Sequence, residues 1–372
     1  MSTNGLNNNS LAIMTAGLIV TYDCNLNCTY CYEKNRKKLY MSLETAREIL
    51  EPILKISEEP LQVMLMGGEP LLAFPMIKEL VEWVDYNQNR WKRQCFFFGS
   101  TNGTLLNASM KKWFYSQKEH VTLALSFDGL PVAQNINRCS SADDVDLEFF
   151  RQTWPNQKIQ MTINENTVDK MAEGVISLIE NNFSVNPSVA YEKYEWSDKS
   201  IETYLRQMLI IMDYYLSHPE KTLIHQFQHP LIDYAKELVK PTTQKQQCGA
   251  GCGFVMYDVD KKMYPCHMMS PLVLSKDQLM ELDAINMSTQ VFQDDRCVGC
   301  PYISACSTCA GCNYLYRENF ARRDFTHCKI QQIEVLVNIR YWVSLINQDS
   351  TVGSKEIVEA ICKLNEYMNY RS

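Results

Sequence analysis

Apolar residues crowd positions 11–21 without helical spacing, and the run reads as a buried strand. The next apolar set has a different period. Leu43, Ala46, Ile49, Leu50, Ile53 and Leu54 recur every three or four residues behind Ser42, predicting an amphipathic helix with a serine N-cap. Residues 61–66 return to a short apolar run, and Ile77, Leu80, Val81 and Val84 make a second helical stripe. The alternation continues with strands over 95–98, 121–126, 159–163 and 185–191 and helices over 110–115 and 171–179. Strands interleaved with helices in this way predict an α/β fold with parallel pairing and helical crossovers. Gly and polar residues follow the strands, as in barrel-like folds whose active site is built at the C-terminal strand ends.

Beyond this region the pattern changes. Residues 200–216 predict a long helix, Pro241-Thr242-Thr243 a break, and the following stretch is rich in Cys, Gly and Tyr with little periodicity. Helical patterning returns after residue 330 with Ile333, Val337 and Ile339. The expected division is a barrel over 1–197, a helical bridge over 198–240, a cysteine-rich domain over 241–330 and C-terminal helices over 331–372. A segment with so few apolar residues needs metal sites to organise it.

Composition narrows the function class. A net charge of −7 argues against a nucleic-acid partner, which calls for clustered Lys and Arg. No apolar run is long enough to span a membrane, and the polar, Asn-rich residues 1–10 are unlike a secretion signal, so a cytoplasmic protein is expected. The chain holds 15 cysteines, nine of them between Cys248 and Cys328. In a reducing compartment, cysteines clustered at two-residue spacings point to metal ligation rather than disulfides.

Cys24, Cys28 and Cys31 follow the first strand with three and then two residues between them. Three thiolates this close suit one soft metal centre and leave one of its positions open, although a zinc site completed by a distant ligand has the same appearance. The trio, with Tyr30 before its last Cys, resembles the signature of radical S-adenosylmethionine (SAM) enzymes. Gly67-Gly68-Glu69-Pro70 is similar to that family's GGEP segment, and Thr101-Asn102-Gly103-Thr104 to its TNG segment. Ser126-Phe127-Asp128-Gly129, with Arg138 twelve residues after Ser126, resembles the SxDG…R arrangement of the subgroup that modifies peptides and proteins. Gln134-Asn135 stands where that subgroup often has His-Asp. The resemblance implies a partial (β/α)6 barrel and a 4Fe–4S cluster on Cys24, Cys28 and Cys31. SAM would then be bound by Tyr30, Gly67, Gly68, Glu69, Asn102, Ser126, Arg138 and Asn164.

The later cysteines resemble a SPASM domain, which implies two auxiliary 4Fe–4S clusters and three in all. Carried over, Cys248, Cys252, Cys266 and Cys312 hold one, and Cys297, Cys300, Cys306 and Cys328 the other. Two departures stand out. The usual spacing after Cys306 falls on Ala310, with Cys309 and Cys312 on either side; Gly311-Cys312 matches the family's Gly-Cys, and Cys309 is a possible ligand left unassigned. Lys261 replaces a usual Gly, so a turn of different shape is expected. Zinc at these thiolates is the plainer alternative. Cys95 and Cys362 are expected to be buried packing residues, and Cys139 either packs or lines the mouth of the site.

Sulfatase maturases of the family place a catalytic Asp directly after the Cys matching Cys266, where this chain has His267. His267 is therefore a candidate catalytic base, with a hydrogen-bonding role beside the cluster as its alternative. The implied activity is hydrogen abstraction from a ribosomally made peptide to form a thioether or carbon–carbon crosslink. The alternatives are a sulfatase-type maturase forming formylglycine and a non-catalytic, zinc-organised binding protein. Implied partners are a peptide or protein substrate and a low-potential electron donor such as flavodoxin or ferredoxin. Only a short stretch precedes Cys24, so no N-terminal leader-binding domain is expected and a separate leader-binding protein is a possible recruiter.

Overall fold

A computed structural model of the chain describes residues 13–228, 249–251, 253–284, 294–298, 300, 302, 306, 308–349 and 355–369. These residues form two compact units. One comprises 1–126, 134–158 and 248–290, the other 127–133, 159–247 and 291–372.

The first unit is built on a six-stranded sheet in the order β4-β3-β2-β1-β7-β8. Its centre, β1 (Thr15–Thr21), pairs in parallel with β2 (Leu61–Gly67) on one side and β7 (Phe254–Tyr257) on the other. Ala16, Leu18, Ile19 and Val20 are completely buried, the continuous apolar run of a strand covered on both faces. β3 (Cys95–Thr101) and β4 (Val121–Leu125) extend the sheet in parallel, and the two-residue β8 (Met263–Tyr264) closes the far edge antiparallel to β7.

The helices form as their stripes require. In helix Leu43–Ile56 the Ser42 hydroxyl caps Thr45 N at 3.0 Å, and Ala46, Ile49, Leu50, Ile53 and Leu54 are buried. Helix Phe74–Tyr86 buries Ile77, Leu80, Val81 and Val84. Two short helices, Pro131–Asn137 and Leu147–Thr153, lie between β4 and β5 where the sequence pattern gave no stripe. Lys261 takes the left-handed backbone conformation that glycine adopts most readily, with φ of 69°.

In the second unit β5 (Ile159–Ile163) and β6 (Val185–Val189) form a separate parallel pair. The expected six strands are thus all present, but as a group of four joined by β7 and β8 and a group of two. Phe127 N donates to Gln160 O, and Thr162 N donates to Asp128 Oδ1 at 3.1 Å, so the segment after β4 lies along β5. A Cβ on Gly129 would stand 2.8 Å from Gly174 Cα, so this turn reaches helix Met171–Glu180 only as glycine. Helices Asp198–Ser217 and Phe325–Gln348 pack on one another, joined by Tyr204 Oη donating to Glu334 Oε1 at 2.7 Å. Among the described residues no helix is long and apolar enough to cross a membrane. Cys95 is half-buried, and desolvation pushes its thiol up to about 12. Cys362 is exposed rather than packed.

Candidate active site

The C-terminal ends of four parallel strands converge on the cysteine trio. Where β1 ends, Thr21 Oγ1 accepts from Asp23 N and Asp23 Oδ1 accepts from Cys24 N, each at 3.0 Å, and Tyr40 Oη donates to Asp23 Oδ2. The loop then turns on itself, with Leu26 N donating to Cys24 Sγ and Cys31 N to Cys28 O. Thr29 N is held by Asn137 O at 2.9 Å. All three thiols are half-buried. Burial pushes Cys24 up to about 12 and raises Cys28, with Arg138 and Arg36 acting in the opposite direction on Cys28. A thiol so placed becomes a thiolate by coordinating a metal, and three thiols on one short loop flanked by cations fit an iron–sulfur cluster.

The loop after β2 lies directly on this one. A Cβ on Gly67 would stand 2.3 Å from Thr21 O, and one on Gly68 2.4 Å from Asp23 O and 2.8 Å from Cys24 Cβ. Gly68 N donates to Thr21 O and Glu69 N to Asp23 O, so the second loop supports the first through its backbone. Glu69 is buried, and both of its oxygens are engaged: Oε1 accepts from Leu71 N and Thr101 Oγ1, Oε2 from Asn102 N at 2.8 Å. Burial raises its carboxyl pKa, and these three donors oppose the rise. Asn102 passes the connection back, its Nδ2 donating to Asn25 Oδ1 while its Oδ1 accepts from Thr104 N and Oγ1. Asn25 Nδ2 donates to Thr104 Oγ1 at 2.8 Å and closes the ring. Asn25 and Thr104 were not among the sequence-based candidates, because only the fold brings positions 25 and 104 together.

Ser126 follows β4, its N donating to Thr101 O. Arg138 is buried with its guanidinium 5.3 Å from the Tyr30 ring centroid, a cation–π contact within the cysteine loop. The next two residues, Cys139 and Ser140, both have positive φ, of 56° and 55°. Cys139 is exposed, and its Sγ accepts from Asn27 N at 3.1 Å, so it braces the loop instead of packing in a core. Tyr30, Gly67, Gly68, Glu69, Asn102, Ser126 and Arg138 thus belong with the trio in the first unit, and Asn164, at the end of β5, belongs to the second. Asn164 is buried, and its Oδ1 accepts from Thr167 Oγ1.

His267, also in the first unit, lies 5.8 Å from the Tyr32 ring, centroid to centroid. Burial pushes its imidazole down to about 4, and its buried Nδ1 has no hydrogen-bond partner among the described residues.

A second group of cysteines gathers in the second unit. Cys306 has Cys328, Cys297 and Cys300 as electrostatic neighbours, and Arg323 donates to its Sγ at 3.4 Å. Cys309 caps helix Ala310–Arg317, its Sγ accepting from Cys312 N at 3.4 Å. Cys248 and Cys252 lie outside the described residues, and Cys266 and Cys312 are buried in the first and second units respectively. Among the described residues no three His, Cys, Asp or Glu are set to bind one ion.

Residues 18–191 match the radical SAM superfamily. This part of the chain is a radical SAM domain. The family implies a 4Fe–4S cluster and SAM. Over 128 residues the chain is 28% identical to the radical SAM cyclopropyl synthase TigE of Paramaledivibacter caminithermalis, covering 30% of this chain and 26% of that protein. Over 150 residues it is 29% identical to the cysteine-type anaerobic sulfatase-maturating enzyme of Clostridium perfringens strain 13, covering 38% of this chain and 40% of that one. Both matches therefore span well under two thirds of the relative's length. The structure of native anSMEcpe with bound AdoMet and Cp18Cys peptide superposes with a TM-score of 0.67 at 20% identity, covering 90% of this chain and 99% of that one. The α/β fold with its parallel sheet is shared at that scale, and the radical SAM domain carries the site described above.

Proposed function

We propose that the protein is a peptide-modifying radical SAM enzyme that forms a thioether or carbon–carbon crosslink in a ribosomally made peptide. The cluster on Cys24, Cys28 and Cys31 would supply the electron that cleaves SAM to a 5′-deoxyadenosyl radical, which abstracts hydrogen from the peptide. The observation that carries this reading is the closed polar network from Glu69 through Asn102 to Asn25, which fixes three strand-end loops around the trio. Tyr30, Gly67, Gly68, Ser126 and Arg138 would hold SAM beside it, with Asn164 as a further contact. Residues 241–330 are read as the auxiliary-cluster domain, with the ligand sets expected from the sequence. The gathering of Cys297, Cys300, Cys306 and Cys328 supports one of those clusters as an electron exit. An imidazole that burial keeps neutral, with conjugate acid near 4, is a weak proton acceptor, which favours a hydrogen-bonding role for His267 over that of a base. A cytoplasmic setting with a flavodoxin or ferredoxin donor follows from this chemistry.

A second reading, a sulfatase-type maturase forming formylglycine, is favoured by the likeness to the Clostridium perfringens enzyme. Anaerobically reconstituted protein tests both readings. It should be brown, rich in iron and sulfide and poor in zinc, and should cleave SAM to 5′-deoxyadenosine with dithionite. Cys28→Ala should abolish that cleavage, and cleavage retained in this variant would refute the proposal. Mass spectrometry of a peptide co-expressed with the enzyme then separates the two readings. A crosslink removes two hydrogens and leaves no aldehyde, whereas formylglycine reacts with a hydrazide probe.

A further inference from the structure

Arg36 lies five residues beyond Cys31, outside every motif, yet its backbone is fixed from both sides. Before it, Asn35 N donates to Leu272 O, and Asn35 Nδ2 donates to Pro271 O at 3.0 Å and Leu274 O at 2.7 Å. After it the chain runs back along the end of β1, with Tyr22 N donating to Leu39 O, Met41 N to Val20 O, and Thr21 bridged antiparallel to Tyr40. The side chain is therefore directed rather than free on the surface. Its Nη1 donates to Leu26 O within the cysteine loop, and its guanidinium interacts electrostatically with Cys31 and Cys24. Cys28 has it as a charged neighbour too. Its Nε is buried and has no hydrogen-bond partner among the described residues. A buried donor left unpaired is destabilising unless something accepts from it.

We infer that Arg36 is a positioning residue for the cluster, its fixed charge and its unpaired Nε–H serving the sulfur atoms of an iron–sulfur cluster held by Cys24, Cys28 and Cys31. This rests on the cluster reading of the trio. Hydrogen bonds and positive charge at cluster sulfurs favour the reduced state and raise the reduction potential. Lys at the same position would keep the charge and lose the fork that reaches both Leu26 O and the sulfurs.

The test is the midpoint potential of the cluster, followed by electron paramagnetic resonance during anaerobic titration of the reconstituted full-length chain without SAM. An Arg36 parent is compared with Arg36→Met, Arg36→Gln and Arg36→Lys, with iron and sulfide measured in each. To isolate the signal, all four carry Cys297→Ser and Cys266→Ser. Arg36→Met should shift the potential to a more negative value, Arg36→Lys should shift it least, and Arg36→Gln, which keeps a neutral donor, should fall between. If Arg36→Met binds no iron, the Gln and Lys pair decide the matter, and equal potentials in that pair and the Arg36 parent overturn the inference. Unchanged potential in iron-replete Arg36→Met overturns it as well. A parent protein that holds no iron would instead refute the cluster reading itself, a distinct outcome.

Discussion

At Gly68 the reason for a glycine is written in distances. The added methyl of an alanine would stand 2.4 Å from Asp23 O and 2.8 Å from Cys24 Cβ, and backbone and cysteine loop must move to admit it. Gly17 offers the contrast, because there the same methyl would meet the flexible end of Met256 at 2.3 Å. Overpacking of this kind costs roughly 1–3 kcal/mol where the neighbours cannot yield. Gly68→Ala should therefore fold, judged by circular dichroism, yet bind several-fold less iron than wild type. Gly17→Ala should load normally. Equal iron content in the two variants would show that the cysteine loop does not depend on the Gly68 contact. The glycine pair is visible in the sequence, where the resemblance implies a part in binding SAM. The closest approach in the structure is to the cysteine loop, a long-range fact that no local pattern contains.

Elements whose apolar stripes span two or more turns were legible before folding. Ser42 and the stripe behind it, and the stripe from Ile77 to Val84, lie where the sequence put them. β7 and β8 were not legible, because strands of four and two residues carry no period and are defined by pairing with β1 and with each other. Nor was the carboxyl held between helices Asp198–Ser217 and Phe325–Gln348. Glu334 is half-buried there, its Oε1 accepting from Tyr204 Oη at 2.7 Å and Gln226 Nε2 at 3.4 Å, and desolvation raises its carboxyl pKa above the ordinary 4.5. Between 4.5 and the raised value, the native state holds a proton that the unfolded chain has released. Stability must then fall as pH rises through that window. Glu334→Gln keeps an acceptor for Tyr204 and removes the titration. Its melting temperature should vary less than that of wild type as pH rises from about 4.5, and should exceed it at the upper end. Parallel melting curves for the two proteins across that range would rule out a proton-retaining Glu334.

Over the whole molecule, the compact units do not follow chain order. Residues 248–290 contribute β7 and β8 to the sheet of the first unit, although their composition reads as the start of a separate domain. Cys297, Cys300, Cys306 and Cys328 belong wholly to the second unit, drawn from segments that Asp294 joins: it accepts from Arg296 N and from Arg323 N, both at 2.9 Å. A cluster held by these four cysteines, as proposed, would be removable without altering any residue proposed to bind SAM in the first unit. Cys297→Ser should lower the iron content by about four atoms per chain, the content of one cluster. Cleavage of SAM to 5′-deoxyadenosine should continue near the wild-type rate, because Cys24, Cys28, Cys31 and the Glu69 network remain intact. Peptide product should fall at least tenfold if the cluster proposed on Cys297, Cys300, Cys306 and Cys328 carries the substrate's electron away. Full product yield from a variant that has lost those irons would exclude that role and leave this cluster as a device for holding the second unit together.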